Sequence, residues 1–512
     1  MRYFIKIVIL LILSSFIASA LVVCAPNEVP SGSENTQSDK AENQNAETTA
    51  AEKILPELPD ANYNGDTFTF LDSEYDANGY WGSYDIYAAE ETGDPINDAV
   101  FRRNRTVEEK LNINISEFRT TDIAGLAVKN ITAGDAVYDC AMPRMGSAAS
   151  MASKGYLLSF DKLPYINLEK PWWAESVNSM LTIGKRIFFI IGDLSVMDKD
   201  SIFIFMFNKK VASNAGGGHQ YGGTEASDSG IENLYGLVKD NKWTLDKFHS
   251  IIKMVSMDLN GDGELGFNDL IGLVSSDFAI NVLYYNTGET VTRKDAEDYP
   301  YFTMNNERGV TAAEKAFGII TDKSAAILAD ALEKSGIANP WTDGINKMFQ
   351  EDRALFLLAQ ITFIHRTRTM ESDFGILPSP KLNEAQEQYY TSLNAVVSNC
   401  ITVPVTVTDK EKTSAVIEAL TAESRYTLIP AYYDITITNK IMRDEESGEM
   451  LDIILSTRVC DLGFVFNWGG LGNLPLSLYP KGGSFASEYE KRETKAVTEM
   501  EKTIEIFKNL EV

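Results

Sequence analysis

Histidine is nearly missing from this chain: His219, His249 and His365 are the whole supply. That leaves no material for a histidine-rich metal centre and little for a His-based triad. Cysteine is as scarce, with Cys24, Cys140, Cys400 and Cys460 scattered and no C-x-x-C pair among them, so a disulfide scaffold is excluded. Positive charge is short too. The 46 Lys and Arg stand against 73 Asp and Glu for a net charge of −27, and the basic residues form no cluster of the kind phosphate recognition needs, which argues against a nucleic-acid binder. Beyond the amino terminus, no stretch approaches the roughly 20 apolar residues of a membrane span. There is no Gly-x-Ser-x-Gly elbow and no His-Glu-x-x-His pair. Gly216–Gly223 is rich in glycine, but it lacks a Gly-Lys-Ser/Thr ending and reads as a surface loop. Carboxylates are abundant enough to hide a glycosidase pair, whose separation in space the sequence does not reveal.

What is present begins with an export signal. Arg2 and Lys6 precede the apolar run Ile7–Val23. Two processing sites compete there, Ala18-Ser19-Ala20 for ordinary cleavage and Leu21-Val22-Val23-Cys24, which has the form of a lipobox with Cys24 as the lipidated residue. An uncleaved anchor is the third possibility. From Ala25 to about Ala61 the composition turns to Ser, Asn, Gln, Glu, Thr and Ala, with no aromatic between Phe16 and Tyr63. Such a segment buries too little apolar surface to offset its ordering entropy and reads as a disordered tether.

The remaining length is too great for one ordinary core, so at least two lobes are expected. Thr67–Leu71 alternates as a strand after Asn64-Gly65-Asp66, and Ile96–Leu111 has helical spacing before a second strand at Ile113–Ile115. The alternation continues through Ile123–Thr132, Tyr138–Met142 and Gly146–Lys154, and it argues for α/β lobes with largely parallel sheets. Further strands are expected at Ser201–Phe207, Ile271–Val274, Ala354–Leu358, Phe374–Leu377 and Ala395–Val405, and helices at Glu445–Thr457 and Ser487–Leu510. Cys140 and Cys400 fall in strand-like runs, where an inert buried thiol is expected.

A helix over Leu245–Met257, capped by Thr244, runs into the sharpest motif of the chain. Asp258, Asn260, Asp262 and Asp269 stand at positions 1, 3, 5 and 12 of an EF-hand loop, Glu264 supplies a carbonyl at 7, and Gly263 makes the turn at 6. Asp replaces the usual Glu at position 12. A single such loop is expected to hold Ca²⁺ as a structural clip.

Taken in order, Glu91–Ala99 with Arg103–Arg105, Ala133-Gly-Asp135, Tyr138-Asp139, Met142–Met145, Lys170–Trp173, Gly192-Asp193, Phe207–Lys210, Lys242–Asp246, the Asp258 loop, Asp373–Pro378, Asp461–Gly463 and Asn467-Trp468 resemble the family 1 extracellular solute-binding proteins, the ligand-capturing lipoproteins of ABC importers. The match runs from about residue 64 to 470. Val23 in the lipobox and the glycine-rich insertion near 216–230 depart from the family pattern.

The resemblance implies an α/β, two-lobed periplasmic-binding-protein-like fold, with a ligand cleft between lobes, hinge-crossing strands and a helical C-terminus. Residues 1–24 would be the signal and 25–62 the tether; 63–175 with 393–443 would form lobe 1, and 176–392 with 444–512 lobe 2. Asn394–Val405 would include a hinge-crossing strand. It also implies a monomeric, non-enzymatic binder of a sugar or oligosaccharide. Such a protein would be held by lipid at the extracellular face of the membrane and would serve the importer's permease. A surface-anchored carbohydrate enzyme, a ligand-presenting sensor and a peptide binder are the alternatives. Sugar rings need flat aromatic faces and paired polar groups, so the cleft candidates are Trp81, Trp172, Trp173, Asp193, Trp341, Tyr432, Tyr433 and Trp468. Trp243 is expected to pack beside a helix start.

Overall fold

Two sheets and the segments that cross between them organise the chain. The computed structural model describes residues 53–75, 81–215, 231, 233–438 and 445–509. Cys24, the export signal, residues 25–52 of the expected tether and the Gly216–Gly223 run lie outside the described residues; the end of that tether is not free, because Glu57 pairs with Lys170 at 2.7 Å and Leu58 packs on the core.

The first sheet begins with β1 (Asp66–Ser73), whose Phe68, Phe70 and Leu71 are fully buried. Helix α1 (Pro95–Leu111) returns the chain for a parallel crossover. Asp94 caps it by accepting from the Ile96 and Asn97 amides at 3.0 and 2.9 Å, and Pro95 occupies the first turn, where no amide is needed. Asn112, at φ 46°, ends the helix and leads into β2 (Ile113–Thr120). Helix α2 (Ile123–Ala133), capped by Asp122 and stopped at Gly134, precedes the short β3 (Cys140–Ala141), and α3 (Met145–Ala152) follows. The order is β2-β1-β3, all parallel.

The second sheet has the order β10-β4-β9-β5-β8. Its strands are β4 (Phe203–Asn208), β5 (Ile271–Ser275), β8 (Ala326–Leu328), β9 (Ala354–Gln360) and β10 (Phe374–Leu377). Every residue of β4, β5 and β9 is buried, as expected for strands covered on both faces. The sheet is not wholly parallel, because β4 runs antiparallel to both neighbours. An all-apolar run such as Phe-Ile-Phe-Met-Phe specifies burial but not direction. Helix α4 (Leu245–Val255) buries Leu245, Phe248, Ile251, Ile252 and Val255 at helical spacing, and Thr244 Oγ1 accepts from the Lys247 amide at 3.3 Å. It seats directly on β5. Two short strands, β6 (Thr292–Lys294) and β7 (Pro300–Phe302), form a separate hairpin.

Helices α5 (Lys410–Ser424) and α6 (Leu428–Thr438) pack on α1, and α7 (Glu445–Ser456) packs on β10. The terminal helix α8 (Phe485–Asn509) closes over Trp468–Asn473. Between the sheets, residues 399–404 make single bridges to Ala141, Arg144, Leu157 and Ile190 instead of the continuous strand expected over Ala395–Val405. Further back along the chain, β11 (Thr391–Ser392) pairs with β12 (Arg458–Val459). The other crossing, residues 192–202, leads into β4. Ser201 Oγ and Ser398 Oγ join the two crossings at 2.5 Å.

The seating of α4 is testable. A Cβ on Gly272 would lie 2.1 Å from the Ile252 carbonyl oxygen and 2.4 Å from its Cα, both backbone atoms that a rotamer change does not move. Gly272→Ala should therefore cost about 1–3 kcal/mol by overpacking, read as a lower urea midpoint; an unchanged midpoint would refute the close approach.

Candidate functional site

All three strands of the first sheet end at one crevice. A cavity of about 260 Å³ is lined there by Ser73 and Glu74 after β1, Thr121 and Asp122 after β2, and Pro143 and Arg144 after β3. The first turn of α2 adds Ile123 and Ala124, and α3 adds Ser147. Met197 and Val397 with Asn399 come from the two crossing segments, and Trp81 completes the lining. Ligands of open parallel sheets bind in this position, outside the carboxyl ends of the strands. The volume falls just under the ~300–1,000 Å³ of pockets that enclose a whole small molecule, so the crevice suits one wall of a larger cleft.

Its polar groups are differently held. Asn399 Nδ2 donates to Ser73 Oγ at 3.1 Å and, more weakly, to Asp72 Oδ1 at 3.5 Å, which ties a crossing segment to the end of β1. Asp72 lies buried beneath, and burial followed by the nearby Glu117 and Asp85 carboxylates pushes its own carboxyl well up. Asp122 is committed to the Gly125 amide at 2.9 Å. Arg144 and Glu74 are exposed and Trp81 is half-buried. The crevice therefore offers an aromatic face, a cation, carboxylates and neutral hydrogen-bonding groups, but no imidazole and no thiol.

Of the cleft candidates chosen from the sequence, Trp81 alone is among the described residues that line this crevice. Trp172 and Trp173 belong to the core, at 0% and 4% exposure. Their indole nitrogens donate to the two oxygens of one carboxylate, Glu418, at 3.1 and 3.0 Å. A buried indole needs such an acceptor, and with both faces packed neither ring is open to a ligand. Trp468 is also buried; it stacks on Phe466 at 4.7 Å and donates to Thr503 Oγ1 at 3.0 Å. Trp341 is half-buried, with its ring 6.0 Å from Phe363. Trp243 packs at the start of α4, fully buried, and donates to the Pro378 carbonyl at 2.9 Å.

Asp193, Tyr432 and Tyr433 gather along the crossing segment 193–200, away from the crevice lining. Asp193 faces Lys199 Nζ at 3.7 Å and Arg425 Nη1 at 3.4 Å, and burial raises its carboxyl. Asp198 pairs with Arg458 at 2.7 Å and Lys199 at 3.2 Å. Tyr432 is buried, donates to Asp200 Oδ1 at 2.7 Å, and has the Tyr433 ring 5.9 Å away. Tyr84 donates to the other oxygen of Asp200. These residues lock the seam between the sheets and leave Tyr432 without a ligand-facing surface.

Glu74, Asp122, Arg144, Ser147 and Asn399 were not candidates from sequence. For Glu74, Asp122 and Arg144 the signal is positional, because each follows the end of its strand by one to three residues; Ser147 sits on α3 and Asn399 on a crossing segment. Arg144 already stood within the Met142–Met145 motif.

In the Asp258 loop, the Asp258 carboxylate accepts from the Gly261 and Gly263 amides at 2.7 and 2.8 Å, which holds it below the usual carboxylate range. Asn260 Oδ1 accepts from the Asp262 amide, and Asp262 Oδ1 from the Glu264 amide. The fully buried Asp269 accepts from Leu259 and Gly266. Gly261 and Gly263 take the left-handed φ of 76° and 84° that the turn requires. The donor set is all oxygen, as Ca²⁺ prefers. Among the described residues, however, no three His, Cys, Asp or Glu side chains converge as a metal cluster. The loop passes into β5 and not into a second helix. Cys140, Cys400 and Cys460 are buried free thiols, all pushed up by burial.

No family model matches the sequence, and no curated protein matches it. Solved structures do match in fold. UgpB from Mycobacterium tuberculosis, in complex with glycerophosphocholine, aligns with a TM-score of 0.54 at 14% identity, covering 83% of this chain and 100% of that one. The ABC substrate-binding protein Lmo0181 from Listeria monocytogenes, in complex with cycloalternan, gives 0.53 at 13% identity, covering 85% and 99%. A cyclo/maltodextrin-binding protein complexed with maltotetraose gives 0.52 at 12% identity, covering 86% and 97%. The fold is thus the two-lobed, periplasmic-binding-protein-like α/β fold with a C-terminal helix. Among the described residues no helix is long and apolar enough to cross a membrane.

The buried carboxyls make stability pH-dependent. Burial raises Glu418 to about 7 and Asp200 to about 6, against roughly 4 for unfolded carboxyls. The folded state therefore takes up protons first, and each group favours folding increasingly as pH falls from about 7 towards 4, by roughly 1 kcal/mol per pH unit within its window. The Tm should rise from pH 7.5 to 5.5. A flat or falling Tm over that range would contradict these two assignments.

Proposed function

We propose that the chain is the solute-binding component of an ABC importer, which captures a sugar or oligosaccharide in the interlobe cleft and presents it to the membrane permease when the lobes close. The observation that carries this reading is the crevice itself. An aromatic face, Trp81, stands among Glu74, Asp122, Arg144, Ser147 and Asn399 at the carboxyl ends of a parallel sheet. Flat apolar C–H faces and closely spaced hydroxyls call for that combination. Two proteins of the same fold, solved with cycloalternan and with maltotetraose, support the sugar class. Lobe closure follows from differential affinity, since a ligand shifts the open–closed balance only by binding the closed form more tightly. Lobe 1 comprises 63–175 with 393–443, lobe 2 comprises 176–392 with 444–512, and the protein acts as a monomer without catalysis. Lipidation at Cys24 would hold it at the extracellular face of the membrane, the tether of residues 25–62 leaving the lobes free to sample the medium.

Thermal shift across maltotetraose, cycloalternan, glycerophosphocholine and a neutral tetrapeptide tests the ligand class, because a ligand that binds only the folded state raises Tm. A saccharide should give the largest shift. Trp81→Ala should weaken that saccharide about tenfold, near 1.4 kcal/mol, at unchanged ligand-free Tm; a shift with the peptide alone would replace the sugar reading.

We propose further that the Asp258 loop holds Ca²⁺ through Asp258, Asn260, Asp262, the Glu264 carbonyl and Asp269, clipping the end of α4 to the start of β5. The support is the loop's spacing, its all-oxygen donors and its left-handed glycines. Calcium should raise the Tm of chelator-treated protein by several degrees, Asp258→Asn should abolish the rise, and an equal Tm with EGTA and with Ca²⁺ would remove the ion.

A further inference from the structure

Extending the strand pairings by two or three residues places Ser379, Phe203, Gln360, Asp277 and Asp330 on one line across the carboxyl edge of the second sheet. This line follows the strand order β10-β4-β9-β5-β8, with Ser276 one residue before Asp277. Among the described residues, nine buried side-chain oxygen or nitrogen atoms lack a hydrogen-bond partner within the protein, and four of them sit here: Ser379 Oγ, Gln360 Oε1, Ser276 Oγ and Asp330 Oδ1. Unpartnered buried oxygens are costly, and their concentration on one edge calls for a partner from outside the chain.

The position of the line points to that partner. The Ile361 and Thr362 amides, next to Gln360, donate to the carbonyls of Ile202 and Asp200 at 2.9 and 3.2 Å. Those carbonyls belong to the crossing segment whose Met197 lines the first-sheet crevice. The line is therefore joined through one short segment to the wall already described. Phe203 stacks on the half-buried Phe278 at 5.5 Å, so an aromatic surface accompanies the oxygens here as well.

We infer that Ser276, Gln360, Asp330 and Ser379 form the second wall of the ligand site and that they select a hydroxyl-bearing ligand. This rests on the solute-binding reading and deepens it. Gln360 Oε1 and Asp330 Oδ1 can only accept, so the ligand must bring donors. The two serine hydroxyls both donate and accept, which a sugar hydroxyl answers in either sense. Asp330 Oδ2 already accepts from Tyr479 at 2.6 Å, so its second oxygen is fixed in place for a further donor. The atoms are shielded in this form; on this proposal they become accessible when the lobes part.

Gln360→Leu and Ser276→Ala test the inference with maltotetraose and cycloalternan as probes in calorimetric titrations. Each variant should lose at least tenfold in affinity, while the ligand-free Tm stays level or rises, because an unsatisfied oxygen has been removed. If Trp81→Ala weakens binding but Gln360→Leu and Ser276→Ala do not, the second wall is refuted and the solute-binding reading stands. A fall in ligand-free Tm for both variants would mean that an internal water already satisfies these atoms, which also overturns the inference. If the wild-type protein binds neither saccharide, the sugar reading falls and the second wall falls with it.

Discussion

A buried arginine ties the first sheet's helix α1 to the segment that crosses between the sheets. Arg103, on α1, is fully buried, and burial lowers it to about 10 against the opposing pull of the Asp85 and Glu117 carboxylates. Removing a guanidinium from water costs several kcal/mol unless its donors are met. Here they are met by Asn104 Oδ1 at 2.9 Å, the Ile86 carbonyl at 2.6 Å, the Leu194 carbonyl at 3.1 Å and Ser424 Oγ at 3.2 Å. Those acceptors lie on the loop after β1, on the crossing segment and on α5. Asp85 completes the clamp from the same loop by accepting from Ser195 Oγ and the Val196 amide, both at 2.7 Å. Displacing the crossing segment would leave a buried cation and a buried carboxylate unpaired together, so its position is fixed by penalty as much as by attraction.

That fixed segment explains where the crevice lies. Residues 194–200 carry Met197 into the cavity and then deliver the chain to β4, while 399–404 docks along Ala141 and Ile190 on the other side. The carboxyl ends of both sheets consequently flank the same pair of crossings. The seam itself is buried and held by ion pairs and hydrogen bonds, whereas Arg144 and Glu74 at its mouth are exposed. Rigid polar locks sit where the chain crosses, and exposed polar groups sit at the mouth of the crevice.

The strands and helices of this arrangement were legible because their signals are local. Asp94-Pro95 starts α1, Thr244 starts α4, and Phe374–Leu377 reads as a strand from composition alone. The direction of β4 and the single-bridge character of 399–404 were not legible, since both depend on which distant segment lies alongside. The resemblance to solute-binding proteins supplied the two lobes, and the fold comparisons agree with it. The site was the least legible part. The aromatic candidates were chosen for their chemistry, but a tryptophan has the largest surface to bury, and four of the six in the chain are buried, each with its indole nitrogen satisfied internally.

A different rule would have served better. In a sheet whose strands end together, a residue is available to a ligand because of where its strand stops and not because of its type, so the informative positions are the one to three residues after each strand. Applied to the first sheet, the rule returns Glu74, Asp122 and Arg144; applied to the second, it returns Ser276, Asp330 and Ser379. None is aromatic, and none stands out in composition. Phe278 follows the end of β5 by three residues, whereas Trp81, the ring that lines the crevice, stands eight residues beyond the end of β1. Backbone topology selects the positions, and only then does side-chain chemistry matter: serine hydroxyls and acceptor oxygens at the edge of the second sheet, a cation and carboxylates beside an aromatic face at the edge of the first. On the proposed reading, a ligand that satisfies both presents hydroxyl donors at one end and an apolar face at the other, as a chain of sugar rings does along its length.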